Sequence, residues 1–535
     1  MNPQQEYRFW SRNSAVLDNP KVNPTFKEVL HYSDDELREW VKLTRKTIIE
    51  EWDNNGTPPL NGKDYEGLIE DFKNLSNYPV HKLAAIDELN GKKEAIVCPI
   101  YYGNGVNQWF ENMMKAKINY STKGNGFSIY DIFKDDKYFE KNVKYWTRQF
   151  QRDSLYRNSI SVEQFSKMGL VPAKDGISWI RLFHNKPTTF KGTGFWLSTS
   201  SDNDKGSGYT SVDSTKYLRV NKEEIQNGIK EGLISVDNFP KKQIPNELEE
   251  SYLIRFFYND TRIFPVGFTA LKISFCQMAV NFPPLIAKYI YTKYTEHIKN
   301  QKIINIYDPS AGWGGRIIGA MATNGDRKIH YIGTDPNSDN YYEDIGLTKY
   351  SLAAQFFNDH VFTDSIDNFF SDEPLNNTFE IYRSGSEVIH KNRMFQRYCG
   401  KLDMVFTSPP YFSKEKYSED EEQSCIKFSD YTSWRDGFLR PTLETCVEYL
   451  RKNRYLCWNI ADVHYDNGTV FPLEQDSIDI LTNLGMEYVE TLKMVLASAP
   501  GANRMGEDGK PTCKNYCKVD SKYSKMEPIF VFRKP

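Results

Sequence analysis

The stretch KLDMVFTSPPYF, Lys401 to Phe412, decides how the chain is read. LDMVF is a short apolar run of the kind that forms a buried strand. Two prolines directly after it cannot continue a sheet ladder, because proline lacks the backbone donor and fixes its own φ. The strand therefore ends in a rigid turn, Ser408-Pro409-Pro410-Tyr411. A carbonyl, a hydroxyl and the flat face of Tyr411 sit together in that turn. These parts suit a planar ring bearing an exocyclic amine: carbonyl and hydroxyl accept the amine hydrogens, and tyrosine stacks on the ring. When such an amine attacks an electrophile its nitrogen becomes positive, and preorganised acceptors stabilise that charge.

Working outward, IINIY (303–307), KIHYIG (328–333), RYLCWNI (454–460) and PIFVF (528–532) are further short apolar runs followed by turn residues. Helical patterns lie between them. LAAQFF (352–357) belongs to one, and SWRDGFLRPTLETCVEYL (433–450) is another, with Pro441 marking its expected start. Strands alternating with helices predict βαβ units and a parallel sheet. Ligands of such sheets bind at the carboxyl ends of the strands. Upstream, VDNFPKKQIPNELEES (236–251) reads as a linker. It divides a mixed α+β N-terminal region, 1–245, from an α/β domain, 246–535. In the first region, HYSDDELREWVKLTRKTIIEEW (31–52) predicts a helix with Ser33 as N-cap.

The other strand ends carry the remaining chemistry. After the run at 303, DPSAGWGG supplies Asp308, Pro309 and Ser310, with Gly312 and Gly314 letting backbone approach a ligand ahead of a helix. An acid at this position repels phosphate and suits an ammonium group, which favours a ligand with an amino-acid part over a dinucleotide. Asp335 lies 27 residues further (335 − 308), where an acid accepts the hydroxyls of a ribose; a helix N-cap is the alternative. A third acid, Glu387 beside Ser386, follows FEIYRS and would bond the amine of an adenine ring, with Asp364 as the rival.

At this point the residues carry a resemblance. DPSAGWG (308–314) resembles the D-P-F-x-G-x-G motif of the S-adenosylmethionine-dependent DNA amino-methyltransferases, and SPPY (408–411) resembles their catalytic [DNS]-P-P-[YFW] motif. The two lie 100 residues apart (408 − 308). NFPPLIAKYIY (281–291) is similar to the helix that holds the methionine end of the cofactor, which brings in Pro283. The resemblance covers roughly 255 to 535. It implies the Rossmann-like fold of that family, with a mostly parallel sheet of seven strands, and S-adenosyl-L-methionine as cofactor. It implies binding of the cofactor amino group by Asp308, with Gly312 and Gly314 lining it, and of the ribose by Asp335. It also implies a flipped base held by Ser408, Pro409, Pro410 and Tyr411, with Phe412 adding to the wall, and no metal. Ser310 departs from the family, where an aromatic residue or cysteine is usual. SPPY is more typical of cytosine N4 than of adenine N6 methylation. The implied partner is double-stranded DNA. Restriction–modification, with a cognate restriction endonuclease as partner, and phage genome protection are both roles of such enzymes. Related turns also occur in enzymes that methylate RNA or a protein glutamine, and a non-catalytic binding protein on the same fold is a further alternative.

Composition bounds the rest. With a net charge of −3 over 535 residues, contact with nucleic acid needs a local basic patch. Lys141, Lys144, Arg148 and Arg152 fall on one face of a predicted helix with aromatics opposite, and Arg504 and Lys510 lie in a glycine- and lysine-rich loop at the expected rim of the sheet. An ordinary surface helix and a mobile loop are the competing readings. The eight cysteines are scattered apart from CKNYC (513–517), which lacks a second ligand pair for zinc. Reduced thiols, the absence of a signal-like N-terminus and the lack of a long apolar window predict a cytoplasmic protein with no membrane partner.

Overall fold

The computed structural model describes residues 16–25, 28, 32–55, 65–118, 126–135, 279–323, 327–361, 376–465, 468–496 and 510–535 except 513, together with the backbone of five strands between 177 and 257. Helix α1 (Asp34–Asn55) begins as expected. The Ser33 Oγ accepts the Glu36 N–H at 3.3 Å while the Glu36 carboxylate accepts the Ser33 N–H at 2.8 Å, a reciprocal cap. Helix α2 (Tyr65–Asn77) follows, then strands β1 (Ala84–Asp87) and β2 (Lys92–Ile96).

The later part of the chain alternates strand and helix. It runs α3 (Pro284–Thr295), β3 (Ile303–Asp308), α4 (Gly315–Met321), β4 (Lys328–Thr334), α5 (Lys349–Val361), β5 (Thr378–Tyr382) and β6 (Leu402–Thr407). It continues with α6 (Arg440–Tyr449), β7 (Leu450–Asn459), α7 (Leu473–Asn483), β8 (Glu487–Val495) and β9 (Lys522–Arg533). Neighbours in the sheet run β5-β4-β3-β6-β7-β9-β8, with β9 antiparallel to both its neighbours and the rest of these pairs parallel. This is a doubly wound, Rossmann-like α/β sheet. Every residue of β6 is buried, which is why its sequence reads as a nearly unbroken apolar run. The exception, Asp403, accepts the Asn305 N–H at 2.9 Å and is paired with Arg451 at 3.1 Å. One face of the sheet buries α3, α4 and α5, the other α6 and α7.

Three features depart from the expectation. Among the described residues the sheet has ten strands rather than seven: β8 pairs in parallel with β2, β2 with β1, and a short strand, Tyr516–Val519, pairs with β9. Residues 65–118, assigned from the sequence to the N-terminal region, pack in the same core as 279–357. Phe110 lies 5.0 Å from the Tyr350 ring and fills the space above Gly314, and Lys288 Nζ donates to the carbonyls of Leu75 and Tyr78 at the end of α2. Next, the stretch read as a linker is in part strand. Residues 250–257 pair antiparallel with 177–184 in a separate five-stranded sheet, so the division at 245 falls before the last strand of that sheet. Finally, the helix at 433–450 does not start at Pro441. It begins at Tyr431 and passes through a π-turn, Arg435–Leu439, ahead of α6. The wide turn accommodates a proline that cannot donate to the preceding turn.

A truncated chain, residues 246–535, is therefore expected to lose cooperative unfolding, since it lacks β1, β2 and the Phe110 wall. Thermal unfolding followed by circular dichroism checks this. An independently folded fragment with a sharp transition would refute the shared core.

Candidate active site

Strands β3 and β6 lie side by side, but the chain leaves them toward opposite edges of the sheet: β4 and β5 on one side, β7 on the other. A crevice opens at such a reversal, beyond the carboxyl ends of the strands. A cavity of about 530 Å³ occupies it. All four residues of Ser408–Tyr411 line it from the end of β6. Asp335 lines it from the end of β4, Ser386 and Glu387 from the turn after β5, and Ser310 and Gly312 from the β3–α4 turn. Pro283, at the N-cap of α3, closes one corner. Of the two acids weighed for the third turn, Glu387 is in the cavity wall, while Asp364 lies outside the described residues.

The β3–α4 turn is shaped by its glycines. Gly312 and Gly314 adopt φ of 60° and 76°, conformations that side chains resist. A Cβ at Gly314 would stand 2.5 Å from the Phe110 ring. The Gly312 N–H donates to Asp335 Oδ2 at 3.0 Å, and the Asn337 N–H to Oδ1 at 2.9 Å. These bonds aim the Asp335 carboxylate. Burial pushes the Asp335 carboxyl up to about 6.

Asp308 is placed differently from the expectation. It is fully buried beneath the cavity floor and does not line it. Its Oδ2 accepts Arg316 Nε at 2.8 Å and the Tyr331 hydroxyl at 2.6 Å, and its Oδ1 accepts the Ser310 N–H at 3.2 Å. A buried carboxylate needs a partner, and the first turn of α4 supplies Arg316. Arg316, not Asp308, is the residue of this pair that lines the cavity. Burial works against the charge of Arg316, but Asp308 beside it more than compensates and holds it protonated.

Phe412 also departs from expectation. Its backbone is left-handed, with φ of 48°, which turns the ring away from Tyr411. It is buried 5.0 Å from Phe471 and 5.6 Å from Tyr431, in the core rather than the cavity wall.

Around Tyr411 the structure adds residues that sequence reading missed. The Tyr411 hydroxyl donates to Glu527 Oε1 at 3.0 Å. Glu527, Glu415 and Asn459 line the same cavity. Burial pushes both glutamates above the usual carboxylate range. Asn459 donates to the Pro528 carbonyl at 3.0 Å, while its Oδ1 is buried with no partner among the described residues. Asn459 had a signal: it is the polar residue closing the apolar run of β7, the neighbour of β6. Glu527 had only its place before Pro528, and Glu415 had none.

The basic residues expected to meet nucleic acid fare unevenly. Lys141, Lys144, Arg148, Arg152 and Arg504 lie outside the described residues, and Lys510 is exposed. Farther along the same loop, Lys514 is engaged with Asp462 at 2.6 Å. Among the described residues, no helix is long and apolar enough to cross a membrane.

No family of known proteins matches the sequence, and no curated protein does. Solved structures do match. One is a proposed class I S-adenosylmethionine-dependent methyltransferase of Listeria monocytogenes, 14% identical over 47% of this chain and 58% of its own, with a TM-score of 0.25. Another is a proposed DNA modification methylase of Thermus thermophilus, complexed with S-adenosyl-L-methionine, 19% identical over 28% of this chain and 54% of its own, TM-score 0.19. A third is the N-methyltransferase NodS of Bradyrhizobium japonicum, in complex with S-adenosyl-L-homocysteine, 10% identical over 47% of this chain and 86% of its own, TM-score 0.24. This chain thus spans between half and three fifths of the first two. The fold assignment rests on the strand order described above.

Asp335 makes a stability prediction. Its folded pKa, about 6, lies above the ordinary carboxylate value, so folding favours its protonated form and stability falls as pH rises from about 4 to 6. Asp335→Asn is expected to raise the unfolding free energy at pH 7 by about 1–2 kcal/mol, after allowing for one lost backbone acceptor. The gain should vanish below pH 4. Urea unfolding at both pH values checks this, and a variant less stable than the parent at pH 7 would contradict the sign.

Proposed function

We propose that this protein is an S-adenosylmethionine-dependent methyltransferase that modifies the exocyclic amine of a base in double-stranded DNA. One observation carries the reading: the Ser408–Tyr411 turn and the acids Asp335 and Glu387, far apart in sequence, line one cavity at the reversal of strand order. Its volume, about 530 Å³, is within the range of small-molecule sites.

The residues present fit the cofactor. Asp335 holds an aimed carboxylate for the two ribose hydroxyls, and Gly312 leaves the backbone bare beside it. Glu387 is available to the amine of an adenine ring, held by Lys427 at 3.1 Å. When bound, the cofactor supplies an electrophilic methyl carbon on a positively charged sulfur. The Ser408 carbonyl and hydroxyl orient the target amine so that its lone pair meets that carbon. The methyl would leave sulfur for nitrogen, and the proton shed by nitrogen would have acceptors in Glu415 and Glu527, which line the same wall. Tyr411, fixed by Glu527, stacks on the base, worth about 1–3 kcal/mol. The base reaches this crevice by leaving the duplex. Cytosine N4 is favoured over adenine N6 by Ser408 in place of aspartate, on the family resemblance alone. The setting we propose is protection of a genome, in a restriction–modification system or a phage.

Methyl-labelled cofactor offered with DNA, RNA and protein tests the substrate. Label is expected in DNA, and nucleoside analysis then names the base. Ser408→Ala is expected to slow incorporation by about 10²-fold. Label confined to RNA or to protein overturns the DNA reading. Modification unchanged by both Ser408→Ala and Tyr411→Ala overturns the catalytic assignment.

A further inference from the structure

We infer that Arg316 binds the carboxylate of the cofactor's amino-acid end; the inference rests on the S-adenosylmethionine reading above. Arg316 is 5% exposed, and the part that is open faces the cavity. Its guanidinium is fixed on two sides. Nε donates to Asp308, and Nη2 donates to the Ser310 carbonyl. The group also lies 5.7 Å from the centre of the Phe282 ring. Among the described residues, the third nitrogen, Nη1, has no hydrogen-bond partner. A guanidinium whose orientation is already set loses little entropy on binding, and arginine is the side chain best matched to a carboxylate. The α3 N-terminus adds partial positive charge at the same corner, where Pro283 and Ile286 line the cavity.

Asp308 points the same way by exclusion. Its two oxygens already accept three donors, two on Oδ2 and one on Oδ1, and it lies below the wall rather than in it. An ammonium group entering the cavity meets Arg316 before it meets Asp308. A carboxylate meets a preset donor. The polarity of the amino-acid end is thereby the reverse of that implied by the sequence motif.

Isothermal titration of the full chain against S-adenosylmethionine, its decarboxylated analogue and 5′-methylthioadenosine tests this without any turnover. The first two ligands share the amine and differ only in the carboxylate, and the third lacks the whole amino-acid end. The parent protein is expected to prefer S-adenosylmethionine over the decarboxylated analogue by about tenfold or more. In the double variant Arg316→Met with Asp308→Asn, which leaves no buried charge unpaired, that preference should fall to within about twofold. Its affinity for 5′-methylthioadenosine should stay that of the parent. A preference that survives in the double variant overturns the inference. So does equal affinity of the parent for the first two ligands, a result that stands even if the variant fails to fold. A parent that binds none of the three ligands overturns the cofactor reading itself.

Discussion

The site depends on one constraint, the side-by-side packing of two buried parallel strands whose connections leave in opposite directions. Strand β3 hands the chain to β4 and β5 on one side, and β6 hands it to β7 on the other. Backbone cannot cover the gap between the two departures, so a crevice remains. The cost of ending strands at a crevice is polar groups near a dry interior. Each strand end meets it differently. Asp308 is neutralised from the cavity side by Arg316, Asp335 is held by two backbone N–H groups, and the Ser408–Tyr411 turn uses prolines, which have no donor to leave unsatisfied.

Residues 65–118 are part of this arrangement rather than an appendage to it. Gly314 can keep its left-handed turn only because it has no Cβ, and the space it leaves is filled by Phe110 from two hundred residues upstream. The Asn112 side chain donates to Asn340 at 2.9 Å, and Asn340 donates to the Tyr350 hydroxyl at 3.0 Å. Tyr350 in turn donates to the Gly312 carbonyl at 2.6 Å. A chain of bonds thus runs from the N-terminal segment to the turn that shapes the cavity.

Much of this was legible in the sequence, and the reasons are local. Strand β6 is apolar because both its faces are buried, and the prolines after it mark its end without reference to anything distant. Asp335 and Glu387 were legible because a strand end is recognisable from its own few residues. What failed were statements about partners. The role of Asp308 depended on whether Arg316, eight positions on, turned toward it. The wall role given to Phe412 depended on the sign of one φ. The boundary at 245 depended on β2 finding β8, four hundred residues away. Long-range pairing leaves little trace in composition or periodicity, so local patterns give the strands and their ends but not which segments close the sheet.

Charge limits what this cavity accepts. Asp335, Glu415 and Glu527 line it, and burial holds the carboxyls of all three above their ordinary range. Carboxyls in that condition resist ionising further when an anion arrives and ionise readily when a cation does. Beside these three carboxyls a pyrophosphate would add charge of the same sign, whereas Arg316 takes an anionic group at the opposite, amino-acid corner. A ligand whose reactive end is a positively charged sulfur, paired with a neutral base as acceptor, draws the carboxyls back toward their ionised form and gains their attraction. The same burial that weakens the fold at neutral pH thus favours a cationic ligand, which is how a site can be costly to build and selective once built.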